Sequence, residues 1–370
     1  MDVGRQSRPG RPLGAVPCRL VDVAMGRMPF SAAGSGRRPG QVGGRRRRWH
    51  NGPIVEYRSL TLDDRAAWAR LLAASFDRTP EQMEQLLLWF HQGFELVTWG
   101  AWDGERLVAQ YNCRLLRLHI PDLPEPALAG MGLNMVVDPA YRGRGLLDTV
   151  AGPVHERITE RGCIAGVGFS SAGGLAVTRK SSSYAYQVLG PMTSTVVVLS
   201  HRRYPEPLAL SGAWPDGRLR LPAGDARFVR YAATPASVHH RFAEHPFRRY
   251  RFGTWRDGAE NGDEIRGLVV YRPVRLRGLP GVALLAAYGE DLPGLLARWA
   301  GAVRRTGVGL VHVVTSPASP LRDALRGVGT RLTVPRSRSP YHLIARALRE
   351  DAPPILFELD RWDCSGGDIL

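Results

Sequence analysis

Residues 142–145 read Arg-Gly-Arg-Gly, and this combination of residue types is suited to holding phosphate groups. The two glycines allow the backbone to approach a ligand closely and to adopt conformations closed to other residues. We expect a helix to begin at Gly145, where the free N–H groups of the first turn and the positive end of the helix dipole face outward. Arg142 and Arg144 would add charged donors. The segment therefore predicts a cradle for a pyrophosphate.

An almost entirely apolar stretch, residues 130–137, precedes this turn and predicts one buried strand. Asp138-Pro139 then turns the chain. No Gly-Lys-Ser/Thr follows, which excludes a P-loop. A dinucleotide-binding fold is disfavoured because the strands before the turn do not alternate with helices.

The stretch from Gly130 to Leu147 resembles the acetyl-CoA motif of the GNAT superfamily of N-acyltransferases, whose pattern is Gln/Arg-x-x-Gly-x-Gly/Ala after a strand. Arg142 and Gly145 fill the first two fixed positions, whereas Leu147 stands where small residues prevail. The neighbouring Arg-Gly-Leu-Leu is similar to the two-domain Eis-like acetyltransferases. The resemblance implies an acyl-CoA co-substrate, either acetyl-CoA or one with a longer chain.

In the GNAT superfamily, the strand pairs with pantetheine and the amides of the turn hold the pyrophosphate. The resemblance places pantetheine against Met135, Val136 and Val137. It assigns the pyrophosphate to six consecutive residues: Arg142, Gly143, Arg144, Gly145, Leu146 and Leu147.

Acyl transfer to an amine needs a neutral amine, a polarised thioester carbonyl and a proton for the departing thiolate. The family usually supplies this proton from a tyrosine on the later helix. Tyr184 and Tyr186 are the candidates, and Tyr184 is preferred. For both, the alternative is a packed aromatic side chain with its hydroxyl at the rim.

Asn134 is the polar residue of the predicted strand, and we expect it on the face opposite Leu133, Met135 and Val137. It is a candidate for positioning the amine or a water molecule. A buried amide bonded to a neighbouring loop is the alternative. No glutamate stands on this strand, so a carboxylate base of the usual kind is not expected there.

The order of predicted helices and strands implies a mixed α/β sheet, and the resemblance implies two tandem GNAT-like domains, the second degenerate. We expect a disordered basic extension at 1–51, the GNAT domain at 52–203, a linker at 204–226, the second domain at 227–350 and a tail at 351–370. The second unit lacks an Arg-x-x-Gly-x-Gly sequence. Glu290 and Asp291 at its corresponding helix start would repel a pyrophosphate. We expect this unit to wall the acceptor pocket.

The formal net charge of +16 does not indicate nucleic acid as a partner, because eleven arginines lie in residues 1–50. No apolar run reaches the ~18 residues of a membrane span, and no signal peptide is evident, so we expect a cytoplasmic protein. The four cysteines lack the spacing of a zinc site, and no metal is expected.

The predicted function is acyl-CoA-dependent N-acylation of a small-molecule amine, with an amino sugar or a secondary-metabolite amine as the first expectation. A catalytically silent GNAT scaffold that binds CoA, RNA or protein is the main alternative. A GNAT-fold decarboxylase of malonyl-CoA is a third.

Overall fold

The structure of the 370-residue chain is a computed structural model that describes residues 55–178, 181, 183–201, 204–256, 263–335, 339 and 341–369. The predicted disordered extension 1–51 lies outside the described residues. Within the described part of the chain, no helix has the length and apolar character needed to cross a membrane.

Counts of strands and helices in both halves refer to the described residues, and on that basis the first half of the chain contains eight strands and four helices. The strands are β1 (Val55–Arg58), β2 (Leu96–Asp103), β3 (Arg106–His119), β4 (Ala127–Gly132), β5 (Val136–Val137), β6 (Ala165–Ser171), β7 (Gln187–Pro191) and β8 (Thr193–Leu199). The helices are α1 (Arg65–Ala73), α2 (Pro80–Gly93), α3 (Leu146–Glu160) and α4 (Ala172–Thr178). Short 3-10 turns at Leu62–Asp64 and Pro139–Tyr141 complete this half.

The second half contains nine further strands and three helices. The strands are β9 (Ala209–Ser211), β10 (Arg218–Leu219), β11 (Arg230–Tyr231), β12 (Arg251–Arg256), β13 (Glu264–Leu276), β14 (Leu279–Gly289), β15 (Leu310–Thr315), β16 (Gly329–Thr333) and β17 (Tyr341–Ala347). The helices are α5 (Pro235–Phe242), α6 (Leu292–Arg305) and α7 (Pro320–Ala324). Further 3-10 turns lie at Leu325–Gly327, Pro354–Phe357 and Leu359–Arg361.

The strands form two mixed sheets, which confirms the predicted α/β architecture. The first sheet has the order β1-β2-β3-β4-β6-β17-β7, and both β5 and β11 also pair with β3. The second has the order β16-β8-β15-β14-β13-β12-β9, and β10 pairs with β13. In each sheet, one parallel pair is joined through a helix: β4 to β6 through α3, and β14 to β15 through α6.

The two sheets exchange strands. Strand β17, from the end of the second half, lies between β6 and β7 of the first sheet, where Tyr341 pairs with Ser171. Reciprocally, β8 lies between β15 and β16 of the second sheet. A boundary near residue 204 therefore does not separate the two sheets. The segment predicted as a linker also contributes β9 and β10 to the second sheet.

Local sequence signals explain several helix starts. Thr79 and Gln82 form a capping box in front of Pro80, which begins α2. Asp291 accepts a hydrogen bond from the Gly294 N–H at 2.9 Å and caps α6. That helix spans Leu292–Arg305.

Each long crossover helix covers one face of its sheet. Helix α3 buries Val150, Val154 and Ile158, and α6 buries Leu295 and Trp299. Full burial of such a side chain contributes about 1.5–3 kcal/mol to folding. The crossover helices therefore anchor both the sheets and the loops at their own N-termini.

The two halves also meet where α2 packs against α5. Trp89 Nε1 donates to the His240 carbonyl at 3.2 Å, and His240 Nε2 donates to the Trp89 carbonyl at 2.9 Å. The two rings are stacked, with centroids 5.1 Å apart. Gly93 leaves room for this imidazole, because a Cβ atom there would lie 1.8 Å from His240 Cδ2.

We expect Gly93→Ala to lower the free energy of unfolding by about 1–3 kcal/mol, because the added methyl group must push His240 off Trp89. Urea unfolding of the full chain measures this. Gly152→Ala is the matched control, since no atom lies within 4 Å of a Cβ there; it should be neutral or stabilise by up to about 1 kcal/mol. Equal midpoints for Gly93→Ala and the unmodified chain would contradict the tight α2–α5 packing.

Candidate functional site

The first sheet opens between two neighbouring parallel strands. Strands β4 and β6 pair only where residues 129–131 meet residues 165–167. Beyond that point the chain of β4 and β5 stays with β3, and the end of β6 pairs with β17. Residues 133–137 and 168–171, all within the described chain, have no strand pairing with each other. We call this opening the split; its facing backbone groups are available to a ligand.

A bulge in the strand produces the split. Gly132 pairs with Cys113 and Val136 pairs with Gln110, so three residues of the bulged strand oppose two of β3. The single strand predicted for residues 130–137 is therefore wrong: β4 ends at Gly132 and β5 holds only Val136–Val137.

The bulge also changes which side of the sheet the side chains of this strand occupy. Met135 and Val137 pack on the core beneath α3, as alternation predicts. Leu133 instead packs in the cluster on the other side of the sheet. An extra residue in a strand shifts the alternation by one position, so the prediction that these three share a face fails at Leu133.

Asn134 lies in this bulge, and β3 fixes its backbone. Gln110 Nε2 donates to the Asn134 carbonyl at 2.5 Å. Gln110 Oε1 and the neighbouring Asn112 Oδ1 are buried and have no hydrogen-bond partner within the described chain. These oxygens can accept a hydrogen bond from a ligand or from water. Neither residue was predicted from the sequence, although two amides within the uncharged run 107–113 were a usable signal.

The predicted cradle lies at the start of α3, directly after β5. Gly143 and Gly145 have φ values of 80° and 76°, which disfavour residues with a Cβ atom. No atom lies within 4 Å of a Cβ built at either position, so the loop faces open space. Helix α3 begins at Leu146, and Gly145 at its N-cap offers no side-chain cap, which leaves first-turn N–H groups for an anion.

Neighbouring side chains hold this loop in place. Asp138 accepts from the Ala140 N–H at 2.9 Å and pairs with Arg106 at 2.5 Å. The Arg144 guanidinium stacks on the Tyr141 ring at 4.6 Å. The side chains of Arg142 and Arg144 are both exposed. Arg142 Nε donates a hydrogen bond to the Val137 carbonyl at 3.3 Å, but neither arginine forms an ion pair with a described carboxylate. Their charges therefore stay available to phosphate groups.

One acidic residue, Asp148, lies in the first turn of α3. It accepts hydrogen bonds from the Ser183 N–H at 3.0 Å and from the Ser181 hydroxyl. These contacts anchor the loop that carries Tyr184 and Tyr186 to the start of α3. The cradle and the two candidate tyrosines are thus mechanically connected.

Tyr184 and Tyr186 are almost completely buried, on the α3 side of the first sheet. Their rings lie 4.6 Å apart, and the Tyr186 and Tyr111 hydroxyls are 3.3 Å apart. A Cβ atom on Gly166 of β6 would lie 2.5 Å from the Tyr186 hydroxyl. One on Gly132 of β4 would lie 2.7 Å from the Tyr111 hydroxyl.

Two of the phenol oxygens therefore lie against glycines of the strands that flank the split. Burial raises the pKa of Tyr111, Tyr184 and Tyr186 above the usual range and keeps all three protonated. Sequence analysis did not identify Tyr111, which comes from β3.

His155 of α3 completes this cluster. Burial, and next the charge of Arg346, lower the pKa of His155 to about 3. His155 Nδ1 lies 3.0 Å from Arg346 Nη1 and 3.1 Å from the Ser183 carbonyl, so it accepts from the first or donates to the second according to the tautomer of the neutral ring. His155 packs inside the domain.

The second sheet has an equivalent opening, but the chain fills it. Strands β14 and β15 pair in parallel at residues 282–284 and 311–313. Beyond them, the Gly366 N–H donates to the Val314 carbonyl and the Gly367 N–H to the Leu285 carbonyl, each at 2.8 Å. The carboxylate of Asp291 already occupies the start of α6. These contacts explain why the second unit is a degenerate copy.

Comparison with known proteins agrees with this geometry. A family model described as an acetyltransferase (GNAT) domain matches residues 56–177. No curated protein sequence matches the chain.

Three solved structures are similar in fold. A conserved protein of unknown function from Enterococcus faecalis V583, described as a probable N-acyltransferase, has a TM-score of 0.58 at 12% identity, over 80% of this chain and 73% of that one. A GCN5-related N-acetyltransferase from Anabaena variabilis gives 0.56 at 11%, over 80% and 73%. Eis1 from Mycobacterium abscessus gives 0.53 at 15%, over 82% and 76%.

We expect the stability of the protein to fall as the pH falls from 6.5 towards 3, partly because of His155. Its unfolded imidazole takes up a proton near pH 6.5, whereas the folded one resists until about 3. Unfolding therefore binds a proton within this window. His155→Gln should make the slope of unfolding free energy against pH smaller by about 1.4 kcal/mol per unit near pH 5.

Urea unfolding at several pH values measures this slope. At pH 7.5 the imidazole is neutral in both states, so any loss of stability there reports packing alone. A variant with the same slope as the unmodified chain would contradict a buried neutral His155.

Proposed function

We propose that the chain is an acyl-CoA-dependent N-acyltransferase of the GNAT superfamily, whose acetyltransferase domain model matches residues 56–177. It moves an acetyl or longer acyl group onto the amine of a small molecule. The observation that carries this proposal is the split between β4 and β6, which leads directly to an uncapped helix start with two glycines at positive φ and two exposed arginines. A pantetheine arm and a pyrophosphate require these two features side by side.

The co-substrate would be held by backbone groups more than by side chains. The edge formed by Met135, Val136 and Val137 faces the split and offers hydrogen bonds to pantetheine amides. The N–H groups from Arg142 to Leu147 would hold the pyrophosphate. Leu147 packs partly on the core beneath α3, so the larger residue at this motif position does not fill the cradle.

The proposed reaction is direct attack in a ternary complex. The amine nitrogen bonds to the thioester carbonyl carbon, the C–S bond breaks, and the sulfur leaves as a thiolate. One proton leaves the nitrogen, and one is delivered to the sulfur. A backbone N–H at the bulged strand would stabilise the oxygen as it gains negative charge.

A tyrosine is proposed to protonate the thiolate. Of the two sequence candidates, Tyr186 has its hydroxyl against Gly166 of β6 and in contact with the Tyr111 hydroxyl. Tyr184, the candidate preferred from the sequence, becomes the second candidate. Their raised pKa values mean that each phenol carries the proton a general acid needs.

The proposed acceptor is an amino sugar or another secondary-metabolite amine. A narrow cleft lies where the second sheet meets β17 of the first sheet. It is lined by residues of the second half of the chain and of the C-terminal tail, including Arg241, Tyr341 and Gly367. Asn134, in the bulge, is a candidate for positioning the amine.

One observation favours a second function, a GNAT scaffold that binds CoA without catalysis. Tyr184 and Tyr186 are 7% and 5% exposed, so a hydroxyl must reach the thiolate from inside the core. A silent scaffold needs no such proton donor. Release of free CoA from acetyl-CoA on addition of an amine distinguishes an enzyme from a scaffold.

We expect Gly145→Asp to weaken binding of acetyl-CoA at least tenfold, while Gly145→Asn keeps it within a few-fold of the unmodified chain. Asn and Asp have the same shape and tolerate positive φ, so the pair separates charge repulsion from backbone strain. Calorimetry of the full chain with acetyl-CoA, octanoyl-CoA and CoA measures both effects and the preferred chain length.

Equal affinity in the Asp and Asn variants would show that the phosphates do not bind at Gly145. No binding of any thioester by the unmodified chain would remove both the enzyme and the CoA-scaffold proposals.

We expect Tyr186→Phe to lower kcat by about 100-fold without changing acetyl-CoA affinity, because only the proton donor is lost. Steady-state release of CoA measures kcat, and Tyr184→Phe tests the second candidate. Tyr57→Phe, on exposed β1, is the control. Full activity in both inner variants would assign the tyrosine cluster to packing and the proton to water.

A further inference from the structure

The cleft where the second sheet meets β17 is lined by three arginines. Arg241 comes from α5, Arg248 from the loop after it and Arg272 from β13. The cleft is narrow: its cavity volume is about 20 Å³, which is room for one small polar group. His245, Tyr250 and Tyr341 provide the other polar groups of its wall.

Among the residues that the structure describes, no carboxylate forms an ion pair with any of the three arginines. Burial is the main cause that lowers the pKa of Arg241 and of Arg272. For Arg272, the next cause is the charge of Arg248, so two of these cations repel each other. Cations that are buried together without counterions are unfavourable unless an anion joins them.

The neighbouring groups do not neutralise this charge. Arg114 of β3 is buried nearby, and the charge of Arg241 contributes to lowering its pKa to about 9, after the larger effect of burial. Within the described chain, Asp368 of the C-terminal tail is the carboxylate whose charge reaches both Arg114 and Arg241. Two of the guanidinium groups thus share one described carboxylate, which Ser365 already binds through its N–H at 2.7 Å.

His245 adds no positive charge to the cleft. Burial, followed by the charges of Arg248 and Arg241, lowers the pKa of His245 to about 3. Its Nδ1 accepts from the N–H groups of Phe247 and Arg248, at 3.2 and 3.1 Å. The neutral ring therefore shapes the loop that presents Arg248.

The cleft adjoins the split through one residue. Tyr341 lines the cleft and pairs in β17 with Ser171, the last residue of β6. Arg114 Nε lies 3.1 Å from the sulfur of Met131, the last residue of β4 that pairs with β6. A molecule with one end among the arginines can place its other end where β4 and β6 separate.

We propose that the acceptor amine carries an anionic group, a carboxylate or a phosphate, which Arg241, Arg248 and Arg272 bind. The inference rests on the proposed acyl transfer and specifies its second substrate. Arginine forks are matched to the geometry of both anions. A polycationic amine would be repelled from this cleft.

The same arrangement supplies what the bulged strand lacks, a means of obtaining a neutral amine. Neighbouring positive charges disfavour an ammonium group and lower its pKa. An amine drawn in by its own carboxylate or phosphate would lose its proton to solvent more readily among these guanidinium groups. No carboxylate base on β4 or β5 is then required.

The test compares matched amines in acetyl-CoA turnover by the full chain: an α-amino acid with its amide, glucosamine with glucosamine 6-phosphate, and a polycationic aminoglycoside. We expect the anionic member of at least one pair to have a kcat/KM at least tenfold higher than its neutral partner. The pair that shows this difference in kcat/KM identifies the anion that the cleft binds: the amino acid pair indicates a carboxylate, and the glucosamine pair indicates a phosphate. Preference for the neutral amines or for the aminoglycoside would overturn the proposal.

Arg272→Gln should raise KM for the anionic amine at least tenfold and leave acetyl-CoA affinity unchanged. Arg272→Lys keeps the charge but loses the forked pair of donors. Its KM for the anionic amine should lie between those of the unmodified chain and Arg272→Gln. Arg305→Gln, exposed at the end of α6, is the control. If Arg272→Gln does not fold, Arg272→Lys and Arg248→Gln carry the test. An unchanged preference for the anionic amine in all folded variants would overturn the assignment of the cleft.

A separate binding experiment tests the anion site independently of the proposed enzyme activity. Glucosamine 6-phosphate and a free amino acid are titrated without CoA, and the thermal unfolding midpoint is followed. If no amine is acylated but one anion raises the midpoint only while Arg272 is present, the anion site stands and the transferase proposal fails. If neither anion raises the midpoint and no anionic amine is preferred, the anion site fails.

Discussion

The separation of β4 from β6 beyond residue 131 is the constraint on which the site depends. Two parallel neighbours can separate only if each stays paired with the strand on its other side, which leaves the facing backbone groups unpaired. On one side, β3 follows the bulged chain as far as Val137. On the other, β17 pairs with β6 as far as Ser171. Because β17 comes from the end of the second half, the opening in the first sheet requires the whole chain.

The two sheets solve the same geometric problem in two ways. In each, a parallel pair joined by a helix separates at its carboxyl end and leaves backbone groups to be satisfied. The second sheet satisfies them internally, through Gly366 and Gly367 of the tail and through the Asp291 cap. The first keeps its edge, its helix start and its two arginines free. A fold with two similar units thus offers one site.

Local signals in the sequence account for the parts of this structure that local physics decides. The loop with glycines at 143 and 145 was predicted from adjacent residues. The capping box at Thr79 and the helix over residues 292–305 also depend on near neighbours in the sequence. The bulge after Gly132 was not predictable, because a continuous apolar run has no polar–apolar alternation that an extra residue would interrupt. The exchange of β8 and β17 was also missed, since both strands suit either sheet.

The candidate site shows the same limit. The cradle lies in one short segment and could be read directly. Tyr111, Gln110 and Asn112 reach the split only through the pairing of β3, and no spacing links them to residue 145. The arginines of the cleft are scattered between residues 241 and 272, in a chain where arginine is common. Because residues 1–50 contribute most of the net charge, the net charge gave no indication that a few other arginines lie together in the folded chain.

The choice of arginine matters for what the cleft can do. Burial lowers the pKa of Arg114 to about 9, which still leaves the group charged at neutral pH. A lysine starts roughly two units or more lower, near 10.4, so a comparable environment would bring its pKa to about 7 and make the charge conditional on pH. Guanidinium groups keep a fixed positive potential at depth. That potential can hold an anion and lower the pKa of a neighbouring amine, so binding and activation of the acceptor would share one cause.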